Sequence, residues 1–339
     1  MVAHTPNPLS SRFESCYADD MNKLATRVLP LAAATAILSW SSAYPVVRIA
    51  LRDMPPVPLA AIRYALAALL AGAWLAYNRI PPPALRDVPR VLACAGIGIS
   101  LYNVLFNMGE VTVSSGAASL LIASAPLMTA LIAMPVLGER LNGWGWIGSL
   151  LSFSGVILIA GGQAGGIAFG SGATFVLGAA LCSAIYIIML RQVIQRYGGL
   201  PGICYILIAG AILLLPWLPR ACSILPNAPW SCTAAVVELA VFPAALGYGA
   251  WTFVIGHMGA ARGSALLYTL PPVTMVLAFI LTGEIPGLRT LLGGAVVMTG
   301  VIIMNTWGHP DRRQARIRAA QDRQVSGSPG TASVRYDKS

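Results

Sequence analysis

Long apolar runs separated by short polar breaks dominate the chain. Ten of these runs are long enough for a helix that crosses a bilayer, which needs about 20 apolar residues. The predicted spans are residues 29–51, 57–77, 88–108, 113–136, 143–161, 171–190, 202–219, 234–256, 262–282 and 287–306. The breaks are rich in proline, glycine and charged residues, as expected of turns. The pattern predicts an all-α membrane protein with ten transmembrane helices.

Composition supports this class and excludes two others. The chain is 57% hydrophobic and 10% charged, whereas a soluble domain carries about 25% charged residues. The net charge of +10 could suggest a nucleic-acid partner. However, the basic residues lie in short loops and in the C-terminal tail, which is typical of membrane proteins. We therefore expect a lipid bilayer around the chain and no nucleic acid.

The second pattern is an internal duplication. Residues 118–157 recur without a gap as residues 263–302. The matched pairs are Pro126 with Pro271, Glu139 with Glu284, Gly148 with Gly293 and Gly155 with Gly300. Apolar matches alone would mean little in so hydrophobic a chain, but prolines, glycines and glutamates at one constant offset are specific. We infer two homologous repeats.

Each repeat contains five spans, and an odd number makes the second repeat enter the membrane from the opposite side. The predicted organisation is a polar, disordered N-terminal tail (1–28), repeat 1 (29–161), an external linker (162–170), repeat 2 (171–306) and a basic, disordered tail (307–339). Glu139 and Glu284 then lie on opposite faces, capping the next helix or pairing with loop arginines. Inverted repeats commonly hold a substrate site in a central cavity between them and alternate its exposure.

The distribution of Lys and Arg sets the orientation. With the N-terminus inside, most basic residues of the loops and both tails fall on the cytoplasmic side. Positive charge is retained on the cytoplasmic side of membrane proteins. We predict that both termini are cytoplasmic.

Short motifs at matching places carry a resemblance to a known family. They are Trp40-Ser41-Ser42 in span 1, Arg63-Tyr64 in span 2 and the Gly-Glu pairs that close spans 4 and 9. Over residues 29–306 the chain resembles the EamA branch of the drug/metabolite transporter superfamily. In that family the first motif usually reads Trp-Gly-Ser, and here Ser41 replaces the glycine.

The resemblance implies a multi-pass transporter of the bacterial inner membrane. Members mostly export amino acids, related metabolites or toxic small molecules. It also implies a central cavity lined by spans 1, 3, 4, 6, 8 and 9, with spans 5 and 10 at the periphery. Small residues on one face of spans 5 and 10, among them Gly148, Gly155, Gly293 and Gly300, predict a close packing seam.

Two prolines lie in the middle of spans 4 and 9. Pro126 and Pro271 each remove a backbone N–H and leave the carbonyl four residues earlier, on Ile122 and Leu267, without its helical donor. We predict two symmetric kinks. They either hinge and shape the cavity, or are static features that the fold tolerates.

Polar and aromatic side chains recur at helical spacing on five spans. The candidate cavity residues are Trp40 and Tyr44 (span 1), Tyr102, Asn103, Phe106 and Asn107 (span 3), Tyr186 (span 6), Tyr248, Trp251 and Thr252 (span 8), and Tyr268 and Thr269 (span 9). Such walls suit a small solute with an apolar part and a few hydrogen-bonding groups. The alternative for each residue is ordinary packing between helices.

Charged residues inside spans are costly and therefore point to function. Arg63 in span 2 and Glu238 in span 8 could pair with each other. Alternatively, Arg63 could hold a substrate carboxylate or extend towards the membrane surface. Glu238 and Glu110 are the acids that could carry a coupling proton, while facilitated diffusion and substrate exchange remain open.

Cysteines and histidines add little chemistry. Cys222 and Cys232 share a loop predicted to be external, where an oxidising space would permit a disulfide. No Cys/His spacing indicates a metal site, and we expect no cofactor. Two histidines lie in the tails and His257 lies at a span end, so a catalytic constellation at membrane depth is not expected.

The sequence thus predicts an exporter of small amphipathic metabolites, such as amino acids, that works by alternating access. A structural or sensory membrane protein that kept the carrier fold is the alternative, and an intramembrane enzyme is a distant third. The expected partners are a small-molecule substrate, lipid and, as one option, a coupling proton. The oligomeric state is left open.

Overall fold

The computed structural model describes residues 8–137, 142–166, 168, 170–258 and 266–307, and this part of the chain is helical without strands. The α-helices are α1 (Pro8–Ala50), α2 (Pro56–Tyr77), α3 (Val88–Ala95), α4 (Tyr102–Glu110), α5 (Ser115–Ile122), α6 (Ala125–Leu137), α7 (Gly143–Gly161), α8 (Gly172–Tyr197), α9 (Gly199–Leu214), α10 (Leu218–Ile224), α11 (Trp230–Leu239), α12 (Tyr248–Met258), α13 (Leu270–Thr282) and α14 (Leu288–Trp307). Short 3₁₀ or π segments join several of them.

Eight helical stretches are long and apolar enough to cross a bilayer. They are Pro56–Tyr77, Leu85–Glu110, Ser115–Ile132, Gly143–Gly161, Gly172–Tyr197, Gly199–Asn227, Trp230–Ile255 and Leu288–Trp307. They correspond to predicted spans 2–8 and 10. Span 1 lies within α1, and a shorter apolar helix, Leu267–Thr282, takes the place of span 9. The chain is a multi-pass membrane protein, while the count of ten spans stays a prediction.

The first helix is longer than predicted. Instead of a disordered tail up to residue 28, α1 continues back to Pro8. No glycine or proline interrupts the sequence between Leu9 and Leu29, and a helix, once formed, extends at little cost through such residues. The basic tail beyond Trp307 lies outside the described residues, as do Glu139 and Arg140.

Spans 3 and 8 are each interrupted by a π-helical segment. These segments are Gly96–Leu101 and Ala240–Gly247, and α4 and α12 resume directly after them at Tyr102 and Tyr248. A π segment widens the helix, shifts the direction of the side chains that follow and often marks a functional site. The two interruptions therefore fall at corresponding places in the two halves of the chain.

Spans 4 and 9 are interrupted close to Pro126 and Pro271, where kinks were expected. Helix α5 ends at Ile122, and α6 begins at Ala125 with Pro126 as its second residue. After the 3₁₀ turn Leu267–Thr269, α13 likewise begins with Pro271 as its second residue. Proline in the first helical turn costs no hydrogen bond, because the N–H groups there have no partner within the helix.

Helices α7 and α14 pack backbone to backbone, which confirms the predicted seam. A Cβ atom added to Gly148 would lie 2.6 Å from the carbonyl oxygen of Gly300, and one added to Gly155 would lie 2.6 Å from that of Gly293. The helices therefore run antiparallel. Because Gly148 corresponds to Gly293 and Gly155 to Gly300, the contact is reciprocal, as a two-fold relation between equivalent helices requires.

The predicted disulfide is absent, because Cys222 and Cys232 are both free thiols. Cys222 is exposed, whereas Cys232 is buried and its Sγ atom lies 3.8 Å from the carbonyl oxygen of Ala50. Cys232 belongs to α11 and packs against α1 instead of lying in an open loop. The sequence had placed the start of this helix at residue 234, which left Cys232 outside it.

The glycine seam yields a stability prediction. Gly155→Ala and Gly300→Ala should each destabilise the protein by about 1–3 kcal/mol, because the added methyl group meets backbone atoms that cannot move aside. Gly161→Ala in the same helix is the control, since no atom lies within 4 Å of its Cβ position. Thermal unfolding of the detergent-solubilised protein measures the effect. Equal melting temperatures for all three variants would contradict the close backbone contact.

Candidate functional site

Three aromatic rings from two helices meet in the first cluster of candidate residues. The Trp40 ring on α1 lies 5.6 Å from Tyr248 and 5.2 Å from Trp251, both on α12. Its Nε1 donates a hydrogen bond of 3.1 Å to the carbonyl of Pro243, inside the π segment. Gly247 leaves room for the indole, since a Cβ there would lie 2.8 Å from Nε1.

A second aromatic cluster joins α1 to α4. Tyr44 meets Phe106 edge-on at 5.3 Å between centroids, and Phe106 stacks on Tyr102 at 5.9 Å. Tyr44 and Phe106 are buried, while Tyr102 is half-buried. Tyr102 and Phe106 are about one helical turn apart, so their side chains lie on the same face of α4.

Arg63 lies inside the bundle and does not extend towards the membrane surface. Only 6% of the residue is exposed. Its Nε donates to the carbonyl of Leu239 at 3.3 Å, and its Nη1 donates to Oδ1 of Asn103 at 3.3 Å. The guanidinium also lies over the Tyr64 ring, 5.2 Å from the centroid. Among the described residues no carboxylate forms an ion pair with it.

Glu238 lies next to the residue that accepts from Arg63, yet the two charges do not pair. Its Oε1 accepts a hydrogen bond of 2.6 Å from the Ser42 hydroxyl. Its Oε2 is buried and has no hydrogen-bond partner in the described structure. The site therefore contains a guanidinium with unused donors and a carboxylate with an unused acceptor.

The two asparagines of span 3 donate hydrogen bonds to backbone carbonyls, one in the π segment and one at the start of α2. The Nδ2 of Asn103 donates to the carbonyl of Ile99 in the π segment at 2.8 Å, and that of Asn107 donates to Pro56 at 2.9 Å. The Oδ1 of Asn107 is buried and has no partner among the described atoms. Such an unsatisfied acceptor is uncommon in a folded interior.

The remaining candidates are partly joined to these clusters. The buried Tyr186 ring lies against Gly98 in the same apolar cluster as Tyr248, and its hydroxyl has no hydrogen-bond partner in the described structure. Thr252 donates a hydrogen bond to the carbonyl of Tyr248. Tyr268 packs against the apolar cluster that contains Tyr44 and Phe106 and bonds to Asn305 on α14, whereas Thr269 is exposed and donates to the carbonyl of Leu266. The structure thus brings polar and aromatic candidates of spans 1, 2, 3, 6 and 8 together, with Thr269 outside them.

Two cavities of the structure lie away from this site. One, of about 460 Å³, is apolar and lies between α2, α3 and α9, with Leu75, Val91 and Ile208 in its wall. The other, of about 550 Å³, is a cleft that includes Arg86, Arg90, Gln192, Gln195 and Arg196. Neither cavity is lined by a predicted cavity residue.

Sequence analysis did not predict a clamp at one end of the bundle, formed by Arg48, Glu284 and Ser115. The Nε of Arg48 on α1 lies 2.9 Å from Oε1 of Glu284, and its Nη1 donates to the carbonyl of Val113 at 2.7 Å. The Oε2 of Glu284 accepts the N–H of Ser115, the first residue of α5, at 2.9 Å. Glu284 therefore caps a helix of the other repeat, and its arginine comes from α1, not from a loop.

A second inter-repeat ion pair lies where α8 ends. Asp87, only 4% exposed, has its Oδ2 2.9 Å from Nε of Arg196. The same oxygen accepts from the Tyr197 hydroxyl, which in turn accepts the N–H of Ala84. In the sequence, Asp87 was an acidic residue among the arginines of a short loop, which was the available signal. Sequence alone gave no reason to pair it with residues more than one hundred positions away.

Comparison with known proteins agrees with this architecture. Residues 29–161 and 170–306 each match the EamA-like transporter family. A solved crystal structure covers 81% of this chain and 96% of its own, with a TM-score of 0.56 at 20% identity. At that identity the match shows the fold alone.

Curated relatives are similar over most of the chain. A Streptantibioticus cattleyicolor protein named as a probable terminal-alkyne amino-acid exporter is 36% identical over 82% of this chain and 94% of its own. The uncharacterized transporter YdfC of Bacillus subtilis is 35% identical over 77% and 86%. The uncharacterized inner membrane transporter YedA of Escherichia coli is 27% identical over 82% and 91%. This chain therefore belongs to the EamA-like transporter family.

Proposed function

We propose that the protein exports amino acids or related amphipathic metabolites across a bacterial inner membrane by alternating access, with no covalent chemistry. The observation that carries the proposal is the guanidinium of Arg63, buried among helices α2, α4 and α11 and not neutralised by a described carboxylate. The two neutral acceptors, Leu239 and Asn103, use only part of its five donors.

A substrate carboxylate would complete the surroundings of Arg63. Arginine presents a planar fork that matches a carboxylate with two parallel hydrogen bonds. A buried cation without an anion is costly, and an anionic group that arrives there is stabilised strongly. These considerations favour a solute that carries a carboxylate.

The unpartnered oxygen of Glu238 supports a solute that also carries a positive charge. This Oε2 atom is buried, and the adjacent residue, Leu239, bonds to Arg63. An α-amino acid has an ammonium and a carboxylate on one carbon, so it could engage both side chains at once. The rings of Trp40 and Tyr102 supply apolar surface for its side chain.

The relationship with the Streptantibioticus protein supports the same substrate class, because that protein is named as a probable amino-acid exporter. Within the described residues, no group of three His, Cys, Asp or Glu residues could hold a metal ion. No specific observation favours an enzymatic or a purely structural role.

The alternating-access part of the proposal rests on the two repeats. The reciprocal contact of Gly148 with Gly300 and of Gly155 with Gly293 is what two inverted repeats would produce. An ion pair between the repeats lies at each of two places, Arg48–Glu284 and Asp87–Arg196. On the predicted topology of ten spans with cytoplasmic termini, the first is external and the second is cytoplasmic.

Arg63 provides the first functional test. Arg63→Gln should raise the KM for amino-acid exchange in proteoliposomes by about ten- to a hundredfold, because a hydrogen bond to a charged group contributes about 1.5–3 kcal/mol. Arg63→Lys retains the charge but not the fork and should recover only part of the affinity. Arg52→Gln, at an exposed position, is the control.

Counterflow of a panel of labelled amino acids measures the exchange, with their methyl esters as probes that lack the carboxylate. Wild-type protein should discriminate strongly between acids and esters, and the Arg63→Gln variant should not. Unchanged discrimination in Arg63→Gln would contradict carboxylate binding. If wild-type protein gave no saturable exchange with any member of the panel, the carrier function itself would be refuted for this substrate class.

The aromatic clusters provide the second test. Tyr102→Ala and Trp251→Ala should each lower the exchange rate by about tenfold, since each removes aromatic contacts worth about 0.5–1.5 kcal/mol per ring pair. Their abundance in the membrane should stay unchanged. Trp230→Ala is a matched control, because that indole is 81% exposed. Full activity in both cluster variants would remove them from the site.

A further inference from the structure

Glu110 is a buried acid to which the proposed substrate site assigns no role. It ends α4, and only 1% of the residue is exposed. Neither carboxylate oxygen has a hydrogen-bond partner in the described structure. An unpaired carboxylate anion in such a place costs several kcal/mol, so the group is stable there only as the neutral acid or beside a cation.

A cation is close at hand. The charged and titratable groups that act on Glu110 from other elements are Arg48 and Tyr44 of α1 and Glu284 after α13. On its own element the corresponding group is Tyr102. Arg48 thus has two carboxylates in its neighbourhood, and it pairs with Glu284.

Helices α2, α5 and α8 also pack against α4, and the charge that α2 brings to α4 is Arg63, at Asn103. Helix α8 contacts the last turn of α4 at Gly109 through Gly172 and Val176. Arg48 also already touches the segment after Glu110, since its Nη1 donates to the carbonyl of Val113. The guanidinium therefore lies between Glu284 and the segment that begins at Glu110.

The Arg48–Glu284–Ser115 clamp ties three elements together. The side chains of Arg48 and Glu284 are 31% and 19% exposed, so water reaches the ion pair from one end of the bundle. Glu284 also holds the N-terminus of α5 through the N–H of Ser115. Loss of Arg48 would remove the ion pair between the repeats and leave Glu284 held only by Ser115.

We propose that Glu110 is the proton-binding site of the transport cycle and that its deprotonation draws Arg48 away from Glu284 and opens this end of the bundle. With Glu110 neutral, Glu284 is the stronger partner for Arg48 and the clamp stays closed. With Glu110 ionised, the buried anion gains more from the guanidinium than the half-hydrated Glu284 does, because charges attract more strongly where water is excluded.

This inference rests on the proposed alternating access, and it gives that cycle a driving force. On the predicted topology the clamp faces the exterior. The open end releases its solute, Glu110 takes a proton from outside, and the clamp closes. The proton leaves from the conformation open to the cytoplasm, where the next solute binds. One proton thus enters for each solute that leaves.

Accessibility of the clamp tests the proposal without knowledge of the substrate. In full-length protein whose native cysteines are replaced, Ala117→Cys provides a fully buried reporter one turn inside α5. A second protein that retains only Cys222, which is exposed, corrects for the pH dependence of thiol labelling. A membrane-impermeant thiol reagent is applied to each protein in reconstituted vesicles.

We expect corrected labelling of Ala117→Cys to rise by about tenfold from about pH 5 to about pH 8. Glu110→Gln, which mimics the neutral acid, should stay poorly labelled throughout, and Glu284→Gln should be labelled strongly at every pH. Asp53→Asn is the matched control, an exposed acid after α1, and it should keep the wild-type response. A flat wild-type profile, or a pH response retained in Glu110→Gln, would overturn the proposal.

The two proposals fail in different ways. If labelling depends on pH as expected but amino-acid counterflow is absent, the proton site is supported and the assigned substrate class is refuted. If counterflow is saturable but labelling is independent of pH, the carrier stands and Glu110 is not its proton site. For the labelling assay, size-exclusion chromatography of each variant in detergent identifies any variant that fails to fold.

Discussion

A lipid bilayer offers backbone N–H and C=O groups no hydrogen-bond partner, so each must be satisfied inside the bundle. The structure meets this constraint wherever its helices are irregular. The indole of Trp40 bonds to the carbonyl of Pro243 in one π segment, and the amide of Asn103 bonds to Ile99 in the other. The aromatic and amide side chains of the candidate site are therefore also the groups that make the interrupted helices stable.

The same constraint identifies the buried polar groups that are still available to bind a partner. Arg63 has donors in excess, while Glu238 and Glu110 have buried oxygens without donors. Where polar groups have satisfied each other, as in Asp87 with Arg196 and Tyr197, the result is a joint between the repeats. Where they have not, the unsatisfied polar group is available to a solute or a proton.

Much of the organisation was readable from the sequence because it depends on local periodicity and on repetition. The glycines of α7 and α14 and the family motif needed only spacing. The prolines of spans 4 and 9 marked where a helix is interrupted, although a proline alone does not tell whether a helix bends or restarts. Residues 8–28 were taken as a disordered tail because polar composition was weighed more heavily than the lack of helix breakers. Cys232 was misjudged because a two-residue error in a helix start moved it from helix to loop.

Sequence alone determined the class of the protein, its two repeats and its family, since hydrophobic length and a constant offset between repeats are properties of the chain itself. Tertiary structure decided which polar residues meet. Arg48 and Glu284 are more than two hundred positions apart, as are Trp40 and Pro243, and no local pattern links them. Tyr268 and Thr269 are adjacent in the chain, yet Tyr268 bonds to Asn305 on α14 while Thr269 is exposed. Helical periodicity fixes which residues share a face, whereas only the packing of helices fixes what that face meets.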